Sequence, residues 1–72
     1  ATMERVIRDV ESLLTDLEAL RDGLALALAD SRVARDERRV RDLESLSASL
    51  GRAYEALREF YRQLSLVRLK YF

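Results

Sequence analysis

The chain has 72 residues with no cysteine, histidine or proline, and its 13 basic and 13 acidic side chains cancel. These counts exclude disulfides, thiol nucleophiles, the usual zinc ligands and any catalytic set built on histidine. Charged residues make up 36% and apolar residues 49%, with only two glycines, a blend that suits amphipathic helices rather than a turn-rich β fold.

The first predicted element is a helix over about 3–29, roughly 40 Å long at 1.5 Å per residue. Met3, Val6, Val10, Leu13, Leu17, Leu20, Leu24 and Ala27 recur in alternating steps of three and four. Those are successive a and d positions of a heptad, the seam of a coiled coil. Ile7, Leu14 and Leu28 at the e positions make the stripe three residues wide, as expected of a helix with more than one neighbour.

A turn is predicted near 29–35. The second apolar register runs Val33, Val40, Leu43, Ser47, Leu50, Tyr54, Leu57, Tyr61, Leu64, two residues out of phase with the first. Continuous coiled coils absorb insertions of three or four residues, so a shift of two argues for a break. Asp30 and Ser31 are good helix-capping types, and Asp36 and Glu37 would place acids in a first helical turn. Breaks at Gly23 and Gly51 would instead give three helices. Both registers pass through these glycines without a change of phase, so two helices are preferred.

The second helix is predicted over about 34–70, roughly 55 Å long. Leu46, Ala53, Phe60 and Val67 at its g positions widen its stripe. Residues 1–30 hold seven acids and three arginines, a net −4; residues 31–72 hold ten bases and six acids, a net +4. Two halves of opposite sign favour lying side by side. If they fold back on each other, the shorter helix is expected to cover the longer one only to about residue 62. That would leave a strongly apolar end uncovered, and Phe60, Tyr61, Leu64, Leu66, Val67, Leu69, Tyr71 and Phe72 are the expected partner-binding residues. Tyr54 and Tyr61, at a positions, also fit a core role.

Little in the sequence carries chemistry. No Gly-rich phosphate loop occurs, and no cofactor or metal is expected. The acid pairs Asp36/Glu37 and Glu55/Glu59 read as solvated helix faces. Arg32, Arg35, Arg38, Arg39 and Arg41 could meet phosphates, but Asp36, Glu37, Asp42 and Glu44 are interleaved with them. The spacings Glu37–Arg41 and Arg38–Asp42 suit local ion pairs. No apolar run is long enough for a membrane span. Glu4, Arg5, Arg8 and Asp9 interrupt any signal-peptide pattern, so an intracellular, cytoplasmic setting is expected.

The expected fold is all-α: an antiparallel two-helix hairpin with coiled-coil-like packing, dimerising into a four-helix bundle. The expected function is a non-catalytic protein–protein interaction module that oligomerises or assembles a scaffold. Its partner would be a second copy, another helical protein, or both. A small escort protein shielding a partner's amphipathic helix is the alternative, and nucleic-acid binding through the turn arginines ranks below it.

Overall fold

The computed structural model describes residues 2–72. Two α-helices, α1 (Met3–Val33) and α2 (Glu37–Tyr71), lie antiparallel as a hairpin. The rod measures 53 × 15 × 14 Å. No strand occurs among the described residues.

Local chemistry explains each helix end. The Thr2 Oγ1 accepts from the Arg5 backbone N–H at 3.3 Å, satisfying one of the free donors of the first turn of α1. Asp36 does the same for α2, its Oδ1 accepting from the Arg39 N–H at 3.1 Å. Glu37 in the first turn and Arg68 and Lys70 in the last have the signs that the helix dipole favours.

The turn is shorter than the sequence suggests. α1 continues through Asp30, Ser31 and Arg32 to Val33 instead of stopping near 29, and α2 begins at Glu37 instead of 34. Ser31 does not cap a new helix. Its Oγ donates back to the Ala27 carbonyl at 2.8 Å, and the side chain is fully buried within α1. The chain reverses after that, in a Schellman closure. The Asp36 N–H donates to the Ser31 carbonyl and the Arg35 N–H to the Arg32 carbonyl, both at 3.1 Å. Arg35 takes the left-handed conformation, with φ of 57°, that glycine usually fills here. Without a glycine or proline at this site, the turn lacks its strongest sequence signal.

The two glycines do not break the helices. Both lie inside α-helix, and a methyl group added at either would meet nothing within 4 Å.

The seam between the helices follows the predicted register closely in α2. Val40, Leu43, Ser47, Leu50, Tyr54, Leu57, Tyr61 and Leu64 are all shielded relative to their neighbours. In α1 the seam is rotated. Ile7, Val10, Leu14, Leu17, Leu24 and Leu28 are shielded, whereas Leu13 and Leu20 are 51% and 57% exposed. The predicted e positions therefore take the place of two of the d positions. Among the described residues only Ile7, Val10 and Ser31 are buried, and none of them lies in α2.

The overlap is also longer than expected. Tyr61 lies opposite Glu11, and Glu4, Ile7, Ser65 and Arg68 line one groove, so α1 covers α2 to about Arg68 rather than 62. The later turn accounts for this, since α1 ends four residues further on than expected and α2 starts three residues later.

Candidate protein interaction surface

The seam separates two edges of the hairpin with opposite character. On the first edge, polar groups tie the helices together. The Tyr54 hydroxyl donates to Glu18 Oε1 at 2.7 Å, and the Tyr61 hydroxyl donates to Glu11 Oε2 at 2.9 Å. Both phenols are held above their ordinary value of 10.0, first because the hydroxyl donates to a carboxylate. Partial desolvation and the nearby negative charge act in the same direction. Open grooves run along this edge, one of them lined by Leu17, Arg21, Leu50, Gly51, Tyr54 and Arg58. None of these grooves encloses a ligand-sized cavity.

The second edge is apolar, and helical geometry places it. Glu11 and Glu18 mark the polar edge of α1. Leu13 and Leu20 follow each by two residues, about 200° around the helix, and so lie on the opposite side. Phe60 and Ala53 each precede a seam tyrosine and lie about 100° round α2, away from Gly51 and Arg58. Leu46 and Val67 continue that row at seven-residue steps. The register set by the tyrosine–glutamate pairs brings Val6 level with Val67, Leu13 with Phe60, Leu20 with Ala53 and Ala27 with Leu46, within one residue. One side of the rod therefore carries two parallel apolar rows along most of its length. Leu13, Leu20, Leu46 and Phe60 are at least half exposed on it.

The sequence-predicted partner residues fall into three groups. Tyr61 and Leu64 turn into the seam between the helices. Phe60 and Val67 lie on the apolar edge. Leu69, Tyr71 and Phe72 are 83%, 74% and 79% exposed at the end of α2, just past the cover of α1, and Leu66 lies on its outer face. Leu13, Leu20 and Leu46 were not among the expected partner residues. The heptad puts Leu13 and Leu20 in the expected seam and Leu46 at a widening g position, but a stripe three residues wide is more than a two-helix hairpin can bury.

The charged groups act mostly within their own helix. Among the described residues the ion pairs are Arg21–Asp22, Arg32–Glu44 and Arg62–Glu59, so the expected pairs Glu37–Arg41 and Arg38–Asp42 do not form. Only Arg32–Glu44 joins the helices, at 3.7 Å, and both partners are more than half exposed. The attraction expected between an acidic and a basic half therefore forms no row of ion pairs, and Glu11 and Glu18 instead accept hydrogen bonds from the neutral Tyr61 and Tyr54. Glu59 accepts from Arg62 at 2.6 and 2.9 Å and from Gln63 at 3.3 Å, which pulls its carboxyl down to about 2. The five turn arginines are all exposed, interleaved with the capping Asp36 and with Glu37, Asp42 and Glu44.

Among the described residues no cluster of acidic side chains has the arrangement of a metal site, and no helix is long and apolar enough to cross a membrane. No protein-family model matches the chain, and no characterised protein or solved structure is detectably similar to it.

Proposed function

We propose that this chain is a non-catalytic protein–protein interaction module that self-associates by helix–helix packing along its apolar edge. The observation that carries this reading is the pair of continuous rows, Leu13 and Leu20 on α1 and Leu46, Phe60 and Val67 on α2, exposed on one side of the rod. Contiguous apolar surface of this kind is costly in water and marks interaction sites.

The surface area supports the same reading. The chain exposes 5786 Å². A compact monomer of 8.3 kDa would expose about 4,600 Å². The excess, roughly 1,200 Å² per copy, exceeds the about 800 Å² that each partner of a standard stable complex covers. A second hairpin on the apolar edge would complete a four-helix bundle.

Light scattering on the purified chain tests this. A particle of twice 8.3 kDa is expected at micromolar concentration. The double variant Leu13→Asp/Phe60→Asp should stay helical and fall to the monomer mass, because two unpaired carboxylates would otherwise be buried in each copy. A wild-type chain that remains monomeric would overturn the reading.

A further inference from the structure

We infer that the second copy docks with its turn at the same end as the first, so that α1 of each copy packs on α2 of the other. This rests on the self-association proposed above and adds its geometry.

Two apolar edges can face each other in two symmetric ways. If the two-fold axis runs along the rod, α1 lies over the partner's α2 and the two turns share an end. If the axis crosses the rod, α1 lies over α1, α2 over α2, and the turns sit at opposite ends. Every neighbouring pair is antiparallel in both, so helix direction does not choose between them.

The flanking rows do. Outside Leu13 and Leu20 on α1, at heptad spacing, lie Asp9, Asp16, Gly23 and Asp30. Outside Leu46, Ala53, Phe60 and Val67 on α2 lie Asp42, Ser49, Ala56, Gln63 and Lys70, with Arg39 at the head of the inner row. All of these flanking residues are exposed. The α1 rim thus carries three aspartates and no base, whereas the α2 side carries two bases and one acid. Laying α1 on α1 sets six aspartates along one closing rim, where like charges are held close as water is excluded. Laying α1 on α2 sets Asp9 and Asp16 level with the neutral Gln63 and Ala56 of the second copy, and leaves one like-charged pair on each rim, Asp30 level with Asp42, with Arg39 about one turn away.

The stripe widths fit a four-helix bundle in either arrangement, and so bear on association rather than on orientation. In α1 the a column (Met3, Val10, Leu17, Leu24) is flanked by Ile7, Leu14 and Leu28 toward its own α2. On its other side stand Val6, Leu13, Leu20 and Ala27, toward the partner. In α2 the column Leu43, Leu50, Leu57, Leu64 is flanked by Tyr54 and Tyr61 toward its own α1, and by Leu46, Ala53, Phe60 and Val67 toward the partner. Each helix then has one apolar flank for each of its two neighbours, as a bundle requires.

A spin label at Arg38→Cys reads the arrangement, because the chain has no other cysteine. With turns at one end, dipolar spectroscopy on the dimer should give roughly 20–30 Å between labels, set by interaxial spacings of about 8–10 Å plus the label arms. With turns at opposite ends the distance should approach the 53 Å length of the rod. The long distance alone would overturn the orientation and leave self-association standing. A monomer would overturn both. Asp9→Asn/Asp16→Asn/Asp30→Asn in the labelled chain should remove the preference and add a long-distance population. An unchanged single short distance in that variant would overturn the charge argument.

Discussion

The two edges of this hairpin differ in how they complete a helix pair that is too thin to bury a core. On one edge, Tyr54 and Tyr61 reach across to Glu18 and Glu11, and the contact finishes within the chain. On the other, Leu13, Leu20, Leu46 and Phe60 lie side by side with nothing over them. An amphipathic helix in a hairpin has one neighbour and can shield only part of a three-wide stripe. A tyrosine solves this locally, because its ring covers apolar surface while its hydroxyl finds a carboxylate. A leucine has no such polar tip, and its side chain stays open to water in the single hairpin.

The comparison breaks most visibly when alanine replaces an apolar residue in the seam or on the open edge. Ile7 is buried between the helices, so Ile7→Ala should cost about 2–4 kcal/mol of folding stability, measured by urea or thermal unfolding. Leu13 is half exposed in the single hairpin. Leu13→Ala should leave monomer stability nearly unchanged and lower the concentration-dependent part of Tm, since association adds to apparent stability by mass action. If Leu13→Ala destabilised a dilute monomer as much as Ile7→Ala does, the two positions would not belong to different surfaces.

The polar edge gives a smaller effect with a pH signature. Tyr54→Phe or Tyr61→Phe should each lower folding stability, by less than Ile7→Ala does, because a partly solvated hydrogen bond exchanges with water. Both phenols are raised in the folded chain. A raised acid is held protonated by the fold, so its contribution is complete below the unfolded value of 10.0 and is lost as pH rises through the higher folded value. Wild type should therefore lose stability above pH 10, and the double Phe variant should lose less over the same range. Glu59 works in the opposite direction. Its folded value of about 2 makes its contribution complete above the ordinary 4.5, fading as pH falls toward 2. Arg62→Ala should flatten that acid limb and leave the alkaline one unchanged.

How much of this was legible beforehand follows from what periodicity can carry. The α2 seam was readable residue by residue, because aromatic and leucine positions agree on one phase from Val40 to Leu64. The α1 seam is not, because Val6–Ala27 and Ile7–Leu28 offer two apolar columns beside the same a positions. The choice between them depends on which side α2 approaches, which is a tertiary fact. The turn lies later than the capping residues suggest for a related reason. Asp30 and Ser31 are capping types, but a serine inside a helix can bond back to the carbonyl four residues earlier, and Ser31 does so. The closing residue, Arg35, carries no turn signature. Moving the helix end from 29 to Val33 then lengthened the cover over α2. It shifted the candidate surface from the last ten residues to the side of the rod.

The two glycines provide the finest contrast, since one lies on each edge. Gly23 belongs to the outer row beside Leu20, and Gly51 lines the groove beside Tyr54. Both are helical, and neither has an atom within 4 Å of the place a methyl group would take. In a dilute monomer, Gly23→Ala and Gly51→Ala should therefore each stabilise the chain by about 0.5–1 kcal/mol, the helix-interior difference between these residues. They should part company on association. Gly51→Ala adds its methyl to an edge that is already closed within the chain, so the dimer dissociation constant should not move. Gly23→Ala adds one to the rim where a second hairpin would approach, and should weaken the dimer a few-fold while still stabilising the monomer. Titration calorimetry by dilution, set beside thermal melts at low concentration, separates the two effects. Equal behaviour in both experiments would mean that Gly23 does not border the proposed docking surface.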